Sequence, residues 1–336
     1  MYGGQHSYEE TTEGQGMKTY LVSGATGFVG RELVPALERQ GGRVVGLVRK
    51  ARGASGGFDV IEAGEDFAHI ATAWPQGFRP DCIIHLAARV HVMHDTAADP
   101  LAAFRAVNVD AALRLAEAGV RAGARRFVYV SSIKALGEDS DPGRPLRETD
   151  EPRPVDPYGQ SKREAEVALL ALGQRTGLEV VIVRPPLVYG PGVGANFLSL
   201  MGVVAKGWPL PLGKADAPRS LVSIDNLVSA VVACADHPAA AGEIFHVSDA
   251  RDVSVSQLVR LIAGAMHRRA NLIPVPVPVL RMIGSVTGKS ETIRRLVDPL
   301  RLDVEKLERQ LGWVPPSSIE ATLARTVEWY RTRGVS

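Results

Sequence analysis

Cysteine is almost missing from this chain. Cys82 and Cys234 lie far apart in apolar stretches, which excludes a disulfide framework and leaves no thiolate spacing for a metal. Two isolated thiols suit a reducing compartment, so a cytoplasmic location is expected. A surplus of one charge is missing too. The chain carries 39 Lys and Arg against 37 Asp and Glu, for a formal net charge of +2, with the basic residues scattered. That pattern gives no footprint for nucleic acid. No apolar run is long enough to span a bilayer. The most apolar late stretch, residues 271–280, is interrupted by Pro274, Pro276 and Pro278 and followed by Arg281. It reads as an extended segment over a core, and no membrane partner is expected. Internal repeats are absent. Residues 1–16 are polar and glycine-rich without an apolar centre, so they read as a disordered leader or an added tag, not a secretory signal, with Met17 as the natural start. What remains is an ordinary globular composition, 336 residues and 45% hydrophobic, enough for one large α/β domain plus a smaller appended region.

Two motifs carry chemistry. Gly24-Ala-Thr-Gly27-Phe-Val-Gly30 follows the apolar run 19–23 and opens a helical stretch at 31–40. Strand, glycine turn and helix is the context a dinucleotide fingerprint requires. Gly24 permits the tight turn, Gly27 lets backbone approach a pyrophosphate, and Gly30 allows close helix–sheet packing. The helix N-terminus then offers free N–H groups to phosphate oxygens. The second motif is Tyr158-Gly-Gln-Ser-Lys162, downstream of Ser132. Positions i and i+4 share a helix face, so the lysine can lie close to the phenol. A nearby ammonium is expected to lower the phenol's pKa and make proton exchange with an alcohol or ketone feasible. His85, His91 and His94 have no accompanying carboxylate pattern and read as packing or surface residues, with no metal expected.

The order of elements points to a Rossmann-type, doubly wound parallel sheet. Strand candidates at 18–23, 43–48, 81–86 and 126–131 alternate with helical stretches, including 100–122, as βαβ units do. Residues 159–173 form an amphipathic helix, and 179–184 is a strand apolar enough to be buried on both faces. After Pro185 glycine and proline become frequent, while strand-like 220–224 and 243–247 bracket a helix at 225–236. The expected division is a nucleotide-binding domain over 17–185 and a smaller substrate-binding region over 186–336, with some strands and helices returning to the nucleotide domain.

With these residues in view, the chain resembles the extended short-chain dehydrogenase/reductase family, within it the nucleotide-sugar epimerases, dehydratases and ketoreductases, over nearly all of 18–329. The resemblance implies catalysis by Ser132, Tyr158 and Lys162. It implies cofactor contacts from Gly24, Thr26, Gly27, Phe28, Val29, Gly30, Leu86, Ala87, Ala88, Asn108, Tyr158, Lys162 and Pro185. For the sugar nucleotide it implies Ser132, Lys134, Asn196, Arg219 on a phosphate, and Arg294, with Arg295 one position away. Leu311-Gly-Trp313 matches the usual C-terminal signature. The wording around Ala87–Arg89 and Ser131–Glu138 is most similar to a bacterial subgroup linked to O-antigen sugars. A homodimer is implied as well.

Two departures narrow the subclass. Family 4,6-dehydratases place Asp-Glu directly after the catalytic hydroxyl, whereas Ile133 and Lys134 stand there. Without that acid, water elimination is not expected. Members using NAD place an acid at the end of the second strand to hold the ribose diol, and this chain has Arg49 followed by Lys50. Cations there suit a 2′-phosphate, so NADP(H) is favoured over NAD(H). The reading ranked first is reduction of the C4 ketone of a UDP-linked 4-keto-6-deoxy-N-acetylhexosamine. A UDP-hexose 4-epimerase with bound NAD is the alternative, and a non-enzymatic dinucleotide sensor comes third because fold does not fix function.

Overall fold

Most successive strands are joined through a helix, and the strand pairs of the sheet are all parallel. The computed structural model describes residues 17–50, 58–64, 66–90 and 99–333. The leader at 1–16, His91 and His94 lie outside these residues. The first half contains β1 (Thr19–Ser23), α1 (Gly30–Arg39), β2 (Arg43–Val48), β3 (Asp59–Glu62), α2 (Ile70–Ala73) and β4 (Cys82–His85). It continues through α3 (Pro100–Arg105), α4 (Ala111–Ala122), β5 (Arg126–Val130), α5 (Pro157–Thr176) and β6 (Glu179–Arg184). The second half contains β7 (Leu187–Tyr189), α6 (Ala195–Lys206), β8 (Leu221–Ser223), α7 (Ile224–Asp236) and β9 (Ile244–His246). It ends with α8 (Val255–Ala265), α9 (Val277–Val286), α10 (Ser290–Val297), α11 (Glu305–Leu311) and α12 (Ile319–Thr332).

Among the described residues, seven strands form one sheet in the order β3-β2-β1-β4-β5-β6-β9. Leu21 pairs with Val45 on one side and Ile83 on the other, so the chain reverses direction across the sheet at β1. Ligands of such sheets bind outside the carboxyl ends of the strands at this switch point. The central strands are apolar through their middles because helices cover both faces. Leu33 and Leu37 of α1 and Leu227 and Val231 of α7 pack on one face. Leu115 of α4 and Leu169 and Leu172 of α5 pack on the other.

The expected strands at 43–48 and 179–184 form at those residues. The helix expected over 100–122 is interrupted by a π-helical turn at Ala106–Asp110, a widening often found at functional sites. β3 and β7 were not anticipated. Each is short, and its pairing partner supplies what local pattern does not. From the region after residue 186, β9 returns to pair in parallel with β6 at the sheet edge. Among the described residues no helix is long and apolar enough to cross a membrane.

Candidate active site

Helix α5 delivers two of the three expected catalytic groups, and its start is well specified. Asp156 caps it by accepting from Gly159 N at 2.7 Å, and Pro157 occupies the first turn, where its missing N–H is not needed. Tyr158 and Lys162 then share one face. The Ser132 side chain lies close enough to the Tyr158 hydroxyl to lower its pKa, and the Tyr158 ring meets Phe104 edge-on, centroids 6.0 Å apart. Ser132 sits beyond the end of β5 in extended backbone and opens a short turn at Ile133–Ala135, its Oγ accepting from Lys134 N. Ile133 N donates to Pro185 O at 2.9 Å, which holds this turn against the end of β6.

Lys162 does not lower the phenol's pKa as the spacing suggests. Its Nζ donates to Val130 O at 2.9 Å and lies 4.4 Å from the centre of the Tyr129 ring. Burial pushes Lys162 down to about 7, partly offset by Glu166. Burial also pushes Tyr158 up to about 12, offset in part by the Ser132 side chain. Desolvation disfavours whichever form is charged, so it lowers the lysine and raises the tyrosine. The protonated phenol is therefore the form held at neutral pH.

Glu166, which the sequence motifs did not single out, and Asn108, which they did, hold this arrangement. Glu166, one turn after Lys162, accepts from Arg184 Nε at 2.9 Å and Nη2 at 2.6 Å. Its Oε1 also accepts from Ser131 Oγ at 2.6 Å. This buried carboxylate thus ties α5 to β6 and to the strand end carrying Ser132. Ser131 faces Glu166 while Ser132 faces Tyr158, a separation that the two adjacent serines alone do not reveal. Asn108, in the π-helical turn, accepts from Arg89 N at 2.8 Å and donates to Arg89 O and Ser161 Oγ. It is fully buried and fixes the backbone beyond β4 relative to α5. The only advance signal for Glu166 was a carboxylate on the core side of an amphipathic helix.

The glycine turn fits a dinucleotide. Gly24 has φ +72°, and a Cβ there would press on Ala87 N at 3.0 Å. At Gly30 a Cβ would lie 2.2 Å from Gly24 O, so helix and turn touch backbone to backbone. No side chain caps the start of α1; Gly27 N, Arg31 N and Glu32 N already donate to Gly24 O, Gly27 O and Val29 O, so the positive end of the helix dipole is what this terminus offers an anion. Ser23 Oγ accepts from Leu86 N and Ala87 N, which brings the backbone of 86–88 alongside the glycine turn. Thr26 is exposed at that turn. Arg49 and Lys50 are exposed directly after β2, and among the described residues no ion pair engages either of them.

On the substrate side the expected residues are less uniformly grouped. Lys134 Nζ pairs with Glu138 and, at 2.6 Å, with Asp156. Arg295 Nε pairs with the same Glu138 at 2.9 Å. Two cations and two carboxylates thus form a cluster beside the Ser132 turn. Arg219 is half-buried and donates to Asp298 O. Burial lowers its pKa, with the carboxylate of Asp298 as the largest opposing influence, and Arg295 lies close enough to act on it too. Arg294 is exposed and pairs with Asp139 at 3.3 Å and Asp298 at 3.6 Å, so Arg295, not Arg294, joins the cluster. Asn196 is exposed in the first turn of α6. No group of three or more His, Cys, Asp or Glu suited to a metal occurs among the described residues.

A parallel sheet with a glycine-rich switch point and a paired serine and tyrosine at its carboxyl edge defines a dinucleotide-dependent α/β protein. The chain belongs to the NAD dependent epimerase/dehydratase family, whose pattern matches residues 20–248. It is 41% identical over 313 residues to a UDP-glucose 4-epimerase of Vibrio cholerae, covering 93% of this chain and 95% of that protein. A UDP-glucose 4-epimerase of Mycolicibacterium smegmatis is 31% identical, covering 93% and 98% respectively. Among solved structures, MoeE5 in complex with UDP-glucose and NAD is 27% identical and covers 95% of this chain and 100% of that one, with a TM-score of 0.73. The chain is an enzyme of the nucleotide-sugar epimerase and reductase group, dependent on a nicotinamide dinucleotide.

Proposed function

We propose that this enzyme interconverts UDP-hexoses at C4, as a UDP-hexose 4-epimerase. The observation that carries this reading is the 41% identity to a UDP-glucose 4-epimerase across nearly the full length of both chains. That likeness reverses the order reached from sequence, where reduction ranked first. Tyr158 accepts the proton of the C4 hydroxyl as the C4–H bond breaks, and returns it to the same oxygen after the hexose has turned over. Tyr158 enters as the phenolate and is the neutral phenol while the 4-keto sugar is present, and Ser132 hydrogen-bonds the C4 oxygen in both directions. Lys162 orients the ribose. Gly24, Gly27 and Gly30 would hold the dinucleotide, which would supply a reversible hydride acceptor. Arg219 and Arg295 are suited to the diphosphate.

A second reading is supported by Arg49 and Lys50. Exposed cations in place of an acid after β2 match a 2′-phosphate better than a bare ribose diol. On that reading the same groups reduce a 4-keto sugar and Tyr158 only donates. Incubating the purified enzyme with UDP-galactose and no added cofactor separates the two. Formation of UDP-glucose supports epimerisation. No conversion, together with NADPH oxidation on a UDP-4-keto-6-deoxyhexosamine, selects the reductase.

A further inference from the structure

Helix α9 has one side fixed to the protein and another with no covering. Leu280 and Gly284, one turn apart, are its buried residues, and Leu280 packs with Leu212, Val255 and Val297. Val279, Met282, Ile283 and Val286 fall at i, i+3, i+4 and i+7, a single helical stripe. All four are exposed, Met282 to 60% and Val286 to 84%. The stripe does not end with the helix. The preceding segment is bonded to the loop before it, with Leu210 N donating to Asn271 O at 2.9 Å and Gly213 N to Ile273 O at 3.0 Å. That pair of segments exposes Trp208 to 59% and Ile273 to 46%.

Along the chain from Val253 to Ser290 the charge has one sign, with exposed Asp216 and Glu291 at its borders. From Val253 to Ser290 the chain contains no Asp or Glu, but carries Arg260, Arg268, Arg269, Arg281 and Lys289. Arg268, Arg269 and Lys289 are exposed, and Lys206 and Lys214 flank the Trp208 loop. The nearest acids belong to neighbouring elements, with Asp298 engaging Arg281 at 2.7 Å. An amphipathic helix with apolar side chains on one stripe and basic residues around it is the pattern of an interfacial helix on anionic lipid. A second copy of this chain would set the same basic residues against one another across a two-fold axis, so the charge favours an anionic surface over self-association. We infer that α9 and the adjoining Trp208 loop form a docking face for an anionic phospholipid membrane. Residues 271–276 lie extended over the core as the sequence suggests, with Leu272 and Val275 packed on it; the exposed stripe belongs to α9. The prolines end before the exposed stripe is complete, and packing through Leu280 turns the stripe outward. Docking by this face rests on neither choice of reaction.

The test uses the full chain and sedimentation with vesicles of equal phosphatidylglycerol and phosphatidylethanolamine, beside vesicles of phosphatidylcholine alone. Wild type is expected to sediment with the anionic vesicles, to stay in solution with phosphatidylcholine, and to be released by about 0.5 M salt as screening shortens the reach of the charges. M282E/V286E should weaken binding to anionic vesicles more than ten-fold with unchanged thermal midpoint and UDP affinity. K289E should weaken it less. Absence of sedimentation with anionic vesicles overturns the proposal, as does a double variant that binds like wild type. If M282E/V286E instead converts a dimer to a monomer in sedimentation velocity, the face belongs to a second copy and the lipid proposal fails.

Discussion

Glu166 accepts two hydrogen bonds from Arg184, at 2.9 and 2.6 Å, with neither side chain more than 1% exposed. The pair lies one turn beyond Lys162 and also takes the Ser131 hydroxyl. Breaking a buried ion pair leaves one charge desolvated and alone, which is far worse than never having had the pair. Glu166→Gln should therefore lower stability by about 3–5 kcal/mol. Glu166→Met combined with Arg184→Met should recover much of that loss. Urea unfolding of the three proteins checks this, and a double variant as unstable as the single one removes the ion pair from the account.

Tyr158→Phe keeps the ring against Phe104 and deletes the proton carrier. Turnover should fall by about 10²–10⁴, with dinucleotide affinity unchanged. Activity within a few-fold of wild type excludes Tyr158 as the acid–base group.

Lys162 is held below its ordinary pKa by burial. A lowered lysine pKa means that the unfolded chain binds the extra proton between about pH 7 and pH 10.5. The lysine therefore destabilises the fold increasingly as pH falls through that window, and fully below it. Lys162→Met should abolish turnover yet raise the thermal midpoint of the dinucleotide-free protein at pH 7. The gain should shrink towards pH 10.5. A variant less stable than wild type at pH 7 contradicts the burial penalty.

His85 and His246 are buried, and burial pushes each down to about 3. The unfolded chain protonates both near 6.5. Their contribution is complete above that pH and is lost as pH falls from 6.5 towards 3, at about 1.4 kcal/mol per pH unit per group. The urea midpoint should drop steadily from pH 7 to pH 4. A midpoint that holds over this range would show that the two rings are not buried neutral.

Arg49→Asp tests the dinucleotide preference. Replacing the cation by an acid should shift binding from NADPH towards NADH, read by fluorescence titration of each. Arg219→Ala should weaken UDP binding by roughly ten- to a hundred-fold, the usual effect of losing a charge-assisted phosphate contact. Unaltered UDP affinity in calorimetry removes Arg219 from the diphosphate site.

The strand, glycine turn and helix at 19–39 were legible because their signals are local: apolar run, glycine spacing, helical period. β3 and β7 were not, since each is short and forms only when a neighbouring strand supplies hydrogen bonds. The catalytic spacing from Ser132 to Tyr158 and Lys162 was likewise readable. The protonation of those groups was not, because the i, i+4 rule predicts proximity and says nothing of desolvation. Lys134 was expected near substrate, but its pairing with Glu138 and Asp156 depends on two segments meeting in space.

Sequence alone determined the doubly wound architecture, the dinucleotide turn and the serine, tyrosine and lysine set, because glycine conformations and side-chain periods act within a few residues. Tertiary structure decided which carboxylate locks α5 to β6. It also decided that α9 turns its apolar stripe outward. Those outcomes depend on burial and on contacts between residues distant in the chain, and solvent exclusion is a property that no local pattern contains.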